Sequence, residues 1–299
     1  MKKDARDMKR PHASESDTNT VDNSSDVSSS GVKEAKKKKK KVLVPPTPVT
    51  VGVLAADASI WENAVLLIDK PKTWTSFDVC GKLRGELARA LKVKPKKIKV
   101  GHAGTLDPMA TGLLIVCVGK GTKSIDSFVS MTKEYSGVFR LGQVTDSYDA
   151  DGSLLKEDSS WQSITNEELY KSRDEHFLGD IEQVPPMFSA IRVDGKRLYE
   201  SARQGKEVDR KSRKVHVQTF DLTRHDETSP FVAFWVTCGK GTYVRSLAHD
   251  LGQQVGCGAH LTELRRECIG EYSVKDAWDM DTLIEAVRDQ KARLNPDQS

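Results

Sequence analysis

Residues 101 to 112 read Gly-His-Ala-Gly-Thr-Leu-Asp-Pro-Met-Ala-Thr-Gly (GHAGTLDPMATG). Glycines at both ends and in the middle, with a proline between, break any helix or strand period, so this is a loop. Gly112 to Val118 (GLLIVCV) follows it as an unbroken apolar run, the signature of a strand buried on both faces. Upstream, Ala64 to Ile68 (AVLLI) gives a second such strand, closed by Asp69, Lys70 and Pro71. Between that strand and the loop, Thr75 or Ser76 is placed to cap a helix in which Phe77, Cys80, Leu83, Leu87 and Leu91 recur at helical spacing.

Further along, Tyr135, Gly137, Phe139 and Leu141 alternate with Glu134, Ser136, Val138 and Arg140, the period of a half-buried strand, and Asp149 to Gly152 (DADG) supplies turn chemistry. Thr165 with Glu168 forms a capping box for a helix that Gly179 can stop. Ser189 to Val193, the turn Asp194-Gly195 and a helical stretch from Arg197 to Gln204 make a basic excursion. Strands return at Val215 to Leu222 and at Phe231 to Cys238; the latter is apolar on both faces, which predicts a central position. A Gly-rich turn at Gly239 and Gly241 leads to a helix from Val244 to Leu251, stopped by Gly252. Strands and helices mix without regular alternation or repeat, which predicts an α+β fold: a mixed, mainly antiparallel sheet flanked by helices.

The formal charge of +4 is misleading, because residues 1 to 58 carry 12 Lys and Arg against 8 Asp and Glu, leaving the remaining body with 35 of each. Any basic face must come from local clustering, as in Lys92 to Lys99 (KVKPKKIK) or Lys206 to Lys214. Residues 1 to 58 are rich in Ser, Asp, Thr and Lys and poor in apolar groups, so they are expected to form a disordered tail. Its six lysines from Lys36 to Lys41 fit a nuclear address, an auxiliary RNA contact or a plain solvated run. The odd set of cysteines lacks a CxxC pair or metal-ligand spacing, which predicts a reducing compartment and no structural zinc. With no membrane-length apolar run and no secretory leader, a soluble intracellular protein is expected, with cytoplasm, nucleus and organelle all open.

Several chemistries lack their motifs: there is no GxSxG elbow, no GxxxxGK[ST] phosphate loop, no HExxH helix, and no GxGxxG opening a helix after a strand. Cys257 to His260 (CGAH) reads as a packed turn, since no second ligand pair is near. The loop at 101 to 112 is the best candidate for function, because catalytic groups concentrate on loops held by rigid scaffolds. Asp107 before Pro108 also suits a simple turn, and His102 a hydrogen-bonded surface side chain. Asp149 and Asp151 read still more readily as ordinary turn carboxylates.

At this loop the sequence resembles the active-site motif of TruB-type pseudouridine synthases, His102 to Gly112 matching throughout. Leu66 to Pro71, Tyr135 with Leu141 to Gly152, Gln183 to Ala190, Gly195 to Gly205, Gly239 to Arg245 and Gly256 to Arg266 resemble family segments in the family's order. The resemblance spans roughly residues 62 to 275 and overturns the simple-turn reading of the loop. It implies the pseudouridine synthase fold and isomerisation of uridine to pseudouridine without metal or organic cofactor. Asp107 would be the catalytic carboxylate, Arg245 its partner and Tyr135 the residue stacking on the base. A carboxylate enclosed in a cavity keeps its charge only beside a cation, which gives the pairing a physical reason.

The same resemblance implies RNA or nucleotide contacts by His102, Tyr243, Leu264 and Lys70, and an RNA-gripping insertion at 183 to 214 where Lys196, Arg197, Arg203 and Lys206 could meet phosphates. It divides the chain into a tail at 1 to 58, a catalytic domain at 59 to 275 and a short C-terminal tail at 276 to 299, with no full C-terminal RNA-binding domain. The expected partner is the T-arm of tRNA, with uridine 55 as target, no metal, no membrane and a monomeric protein. Sites of similar shape in messenger or ribosomal RNA, and a non-catalytic tRNA-folding role for the same fold, remain as alternatives.

Overall fold

The computed structural model describes residues 45–52, 54, 57–193 and 195–294. The lysine run, most of the expected tail and Asp194 of the expected turn lie outside them.

In chain order the strands are β1 (Asn63–Lys70), β2 (Val100–His102), β3 (Thr111–Gly119), β4 (Lys133–Leu141), β5 (Gln143–Thr145), β6 (Leu154–Glu157), β7 (Gly179–Gln183), β8 (Arg192–Val193), β9 (Lys196–Arg197), β10 (Arg213–Thr223), β11 (Phe231–Cys238), β12 (Ala259–Ile269), β13 (Tyr272–Ser273) and β14 (Trp278–Asp279). The helices are α1 (Ser76–Ala90), α2 (Ile125–Ser130), α3 (Asn166–His176), α4 (Leu198–Ala202), α5 (Val244–Gln254) and α6 (Met280–Leu294). One sheet runs β14-β1-β3-β12-β4-β11-β10-β7, with β13 on β12 and β2 on β3. Only β1 with β14 and β3 with β12 pair in parallel; the rest is antiparallel, as the irregular mixture of elements predicts.

β1 and β3 are buried on both faces, which is why they read as uninterrupted apolar runs. One face packs on α1 and α6 through Ile68, Leu83, Leu114, Leu283 and Val287; the other receives Phe128 of α2 and Ala103 of the 101–112 loop. Across β4, β12, β11 and β10, a second core gathers Phe139, Val236 and Leu261 under α5 and α3. Thr75 caps α1 and Thr165 caps α3, each in a full capping box.

Five expectations shift. β11 lies inside the sheet, between β4 and β10, but only one of its faces is covered: Phe231 and Trp235 stand exposed, because apolar composition on both faces does not by itself supply a covering layer. Phe77 does not join the α1 stripe; Val79 does, and Phe77 is 65% exposed. Gly252 lies within α5, where a Cβ would come 2.2 Å from Ala259 N, so its role is close packing and the helix runs on to Gln254. Of the stretch 276–299 expected as a tail, residues 278–294 instead supply β14 and α6 to the core: Trp278, Leu283 and Val287 are fully buried, and Trp61 Nε1 donates to Gln290 Oε1 at 2.8 Å. The folded part also begins before residue 59, since Leu54 is buried and Val49 N donates to Val65 O at 2.8 Å.

Candidate active site

The segment between β2 and β3 turns its apolar residues inward. Ala103, Leu106, Met109 and Ala110 are all buried, which leaves Thr105 and Asp107 as the polar side chains lining a cavity of about 1050 Å³. The backbone is pinned from three sides. Ser76 Oγ donates to Leu106 O (3.1 Å) and accepts from Leu106 N (2.8 Å), Thr73 N donates to Pro108 O (2.8 Å), and Arg266 Nη2 donates to Gly104 O (3.2 Å). Gly112 closes the loop at φ 99°, where a Cβ would lie 2.3 Å from Arg266 O, so only glycine lets β3 start beside β12.

Arg245, in the first turn of α5, reaches the loop from the opposite side. Its Nε is 2.9 Å from Asp107 Oδ2, its Nη1 donates to Ser147 O (2.8 Å) and lies 3.3 Å from Asp149 Oδ2, and its Nη2 donates to Phe188 O (2.7 Å). The guanidinium is 5% exposed, while the Asp107 side chain keeps 35% exposure toward the cavity. An enclosed guanidinium with every edge engaged cannot swing, so Asp107 is oriented by a fixed fork.

Asp149 corrects the sequence reading. Far from being an ordinary turn carboxylate, it is buried, accepts from Ser147 Oγ and from Asp151 N (3.1 Å), and its burial raises its pKa against the pull of Arg245. The turn carrying it is held to α5 by Tyr148, whose ring stacks on His249 at 3.7 Å. Burial lowers the pKa of His249 to about 4, and raises that of neighbouring Asp250, which has no ion-pair partner among the described residues, to about 6.

Tyr135 and Leu264 line the same cavity from adjacent strands, and Arg266 pairs in register with Tyr135 across β12 and β4. Burial raises the Tyr135 pKa, with the Arg266 charge opposing, so the ring rests as the neutral phenol. Tyr243 lines the cavity at the N-cap of α5, where Gln183 clamps it: Tyr243 N donates to Gln183 Oε1 (2.7 Å) and Gln183 Nε2 to Tyr243 O (3.0 Å). Burial raises its phenol pKa as well.

His102 is not part of the cavity lining; it packs behind Phe77, ring to ring at 5.2 Å and nearly perpendicular, and burial lowers its pKa. Of the insertion residues, Arg197 and Arg203 line the cavity, whereas Lys196 and Lys206 are exposed away from its lining. Lys70 is the correction among expected contacts. It is fully buried, with Nζ donating to Pro71 O (2.8 Å) and Trp74 O (2.6 Å), and burial lowers its pKa to about 8. Its third donor reaches Pro108 O of the loop at 3.5 Å, so it braces the turn beneath the loop with no donor left to aim outward.

Sequence reasoning missed Asp149, Arg266 and Lys133. The last lines the cavity while its Nζ donates to Val129 O (2.7 Å) and Met131 O (2.6 Å). Asp149 and Arg266 both fall in segments already singled out by their resemblance to the family, which was the available signal. Among the described residues, no group of three or more His, Cys, Asp or Glu side chains is placed to hold a metal, and no helix is long and apolar enough to cross a membrane.

Residues 89–244 match the model of the TruB family pseudouridylate synthase N-terminal domain, and 245–297 that of the tRNA pseudouridylate synthase B C-terminal domain. The second span begins at α5 and ends beyond α6. The tRNA pseudouridine synthase B of Flavobacterium johnsoniae is 48% identical over 225 residues, covering 75% of this chain and 95% of that one. That of Opitutus terrae is 47% identical over 221 residues, covering 74% and 87%. Among solved structures, a chain of a Cbf5-Nop10-Gar1 complex matches with TM-score 0.55 and 26% identity, over 78% of this chain and 56% of that longer one. With a carboxylate loop, a fork-bound arginine and an ordered series of matching segments that together run from β1 to α6, the chain belongs to the TruB family of pseudouridylate synthases.

Proposed function

We propose that this protein isomerises uridine to pseudouridine in tRNA, acting as a monomer on uridine 55 of the T-arm with Asp107 as nucleophile. The observation that carries the reading is the Asp107–Arg245 pair at 2.9 Å, facing a cavity large enough for a nucleoside and walled by Tyr135 and Leu264. The target nucleotide must leave its stack to reach it, at a cost of a few kcal/mol. Phe77 lines the cavity mouth, with His102 packed edge-on against it at 5.2 Å.

Within the cavity the N1–C1′ bond breaks, the detached uracil turns while held between Tyr135 and Leu264, and a C5–C1′ bond forms. An Asp107 oxygen bonds to C1′ as the N1–C1′ bond breaks and is released as the C5–C1′ bond forms, after which C5 loses its proton and N1 takes one up. Arg245 keeps the carboxylate aimed. Tyr135, a neutral phenol, supplies a flat face and can pass a proton on only as its own is taken. Arg266 serves two elements at once, the loop through Gly104 and the strand that carries Tyr135.

The test is tritium release from C5-labelled uridine in a tRNA transcript without added cofactor. Wild type is expected to release label; Asp107→Asn should bind the transcript and release none. Release by Asp107→Asn at the wild-type rate would overturn the reading.

A further inference from the structure

The segment leaving α1 has no role in the chemistry above, yet its composition is one-sided. From Leu87 to Leu106 there is no acidic residue, while Arg89, Lys92, Lys94, Lys96, Lys97 and Lys99 fall within it. Lys94, Lys96, Lys97 and Lys99 are exposed and none forms an ion pair among the described residues. In a body whose charge is otherwise balanced, such a cluster concentrates positive potential on one edge.

Its position ties that edge to the cavity. Lys99 precedes β2, and β2 ends at His102, roughly 10 Å further on at the usual rise of a strand. Alongside runs α1, whose Arg84 Nη2 donates to Val100 O at 3.1 Å. Seven residues before Arg84, again about 10 Å along a helix, is Phe77, which lines the cavity mouth with 65% of its surface exposed. Its only ring contact is the edge-on His102, and a phenylalanine that contributes so little to its own core is misplaced for stability. On the α1 face between Phe77 and the lysines lie Gly81 and Gly85, where an added Cβ would meet nothing, so no side chain interrupts the path. Both acids of α1 are already engaged, Asp78 with Thr75 and Glu86 with Lys82, Arg89 and Arg288.

We infer that this edge is a second RNA contact, starting at the cavity mouth and leading away from it: a base flanking the target stacks on Phe77, and the phosphates beyond it meet Lys94, Lys96, Lys97 and Lys99. An aromatic platform leading into a basic track is the arrangement that single-stranded and looped nucleic acid recognises. A partly exposed aromatic followed by lysines about two nucleotides away does not suit an acidic peptide, which has no planar group to lay on the ring. The inference rests on the RNA-modifying reading of the cavity.

The experiment compares the full chain with the quadruple variant Lys94→Ala, Lys96→Ala, Lys97→Ala, Lys99→Ala, measuring Kd for the same tRNA transcript from about 0.05 to 0.2 M KCl. Losing two or three phosphate contacts should lower the salt slope by about two to three and weaken binding on the order of a hundredfold at about 0.1 M. The single-turnover rate at saturating RNA should stay within about threefold, since the cavity is untouched. Phe77→Ala should weaken binding by roughly fivefold or more with the slope unchanged, and Phe77→Tyr should restore it. Thermal midpoints of all variants should match wild type, because the side chains are exposed. Unchanged Kd and slope in the quadruple variant, with wild type still converting the transcript, overturn the inference; so does equal displacement of the RNA from wild type and variant by polyglutamate. A wild type that binds but releases no tritium counts instead against the reading of the cavity.

Discussion

Arg245 Nη1 stands 3.3 Å from Asp149 Oδ2, so the guanidinium that meets Asp107 is steadied from behind by a second, buried carboxylate. Asp149→Asn keeps the shape and removes the charge. We expect the isomerisation rate to fall about ten- to a hundredfold, since small misplacements of a reacting group are costly, with RNA affinity nearly unchanged. Stability should change by no more than about 1 kcal/mol, because the burial that raises the Asp149 pKa already disfavours its charge and Arg245 retains Asp107 and two carbonyls. Single-turnover tritium release and urea unfolding check both halves.

Lys70→Met separates bracing from substrate contact. If the ammonium only supports the turn, the substitution leaves the Pro71 and Trp74 carbonyls without their donor and should destabilise by about 1–3 kcal/mol. The RNA Kd should be unaltered, measured by filter binding at fixed salt. A large affinity loss without a stability change would return Lys70 to the surface that touches RNA.

His249 and Asp250 are neighbours on α5 with opposite pH signatures. The Asp250 pKa is raised to about 6, so its contribution to stability is full below the unfolded value near 3.8 and is lost as pH rises through 6. The His249 pKa is lowered to about 4, so its contribution is full above about 6.5 and is lost as pH falls toward 4. Asp250→Asn should therefore stabilise the protein at pH above about 6, by about 1–2 kcal/mol, and leave it unchanged below about pH 4. Melting curves across that range decide it; equal gain at both ends would remove titration as the cause.

Deleting residues 277 to 299 should abolish cooperative folding. Trp278, Leu283 and Val287 are fully buried against β1, β3 and α1, and burial of each contributes about 1.5–3 kcal/mol, together comparable to the whole stability of a domain. Loss of the unfolding transition in circular dichroism is the expected result; a truncated protein with a native melt would make α6 dispensable.

What could be read from sequence followed from local cause. β1 and β3 announced themselves because both faces are buried, and α3 because Thr165 and Glu168 satisfy each other within one turn. Phe77 fits the α1 period by spacing, yet burial depends on what lies opposite, and opposite it is the cavity mouth. The Asp149 turn has the same residues whether it faces solvent or a guanidinium nearly a hundred positions away. Arg266 is one register position on β12, and that position matters because β12 touches β3 and β4 at once. α6 falls within the expected tail, because Leu283 and Val287 come after the last resembling segment.

Phe188 belongs to the arm at 183–214, and its carbonyl accepts from the very guanidinium that aims Asp107. Ser246 Oγ, on the same helix, donates to Val184 O of that arm. By linkage, anything that lifts the arm from α5 withdraws an acceptor from Arg245, and anything that fixes the Arg245–Asp107 geometry favours a seated arm. The seating of residues 183–214 and the aim of Arg245 are thus one thermodynamic couple: displacing either loosens the other by the same free energy.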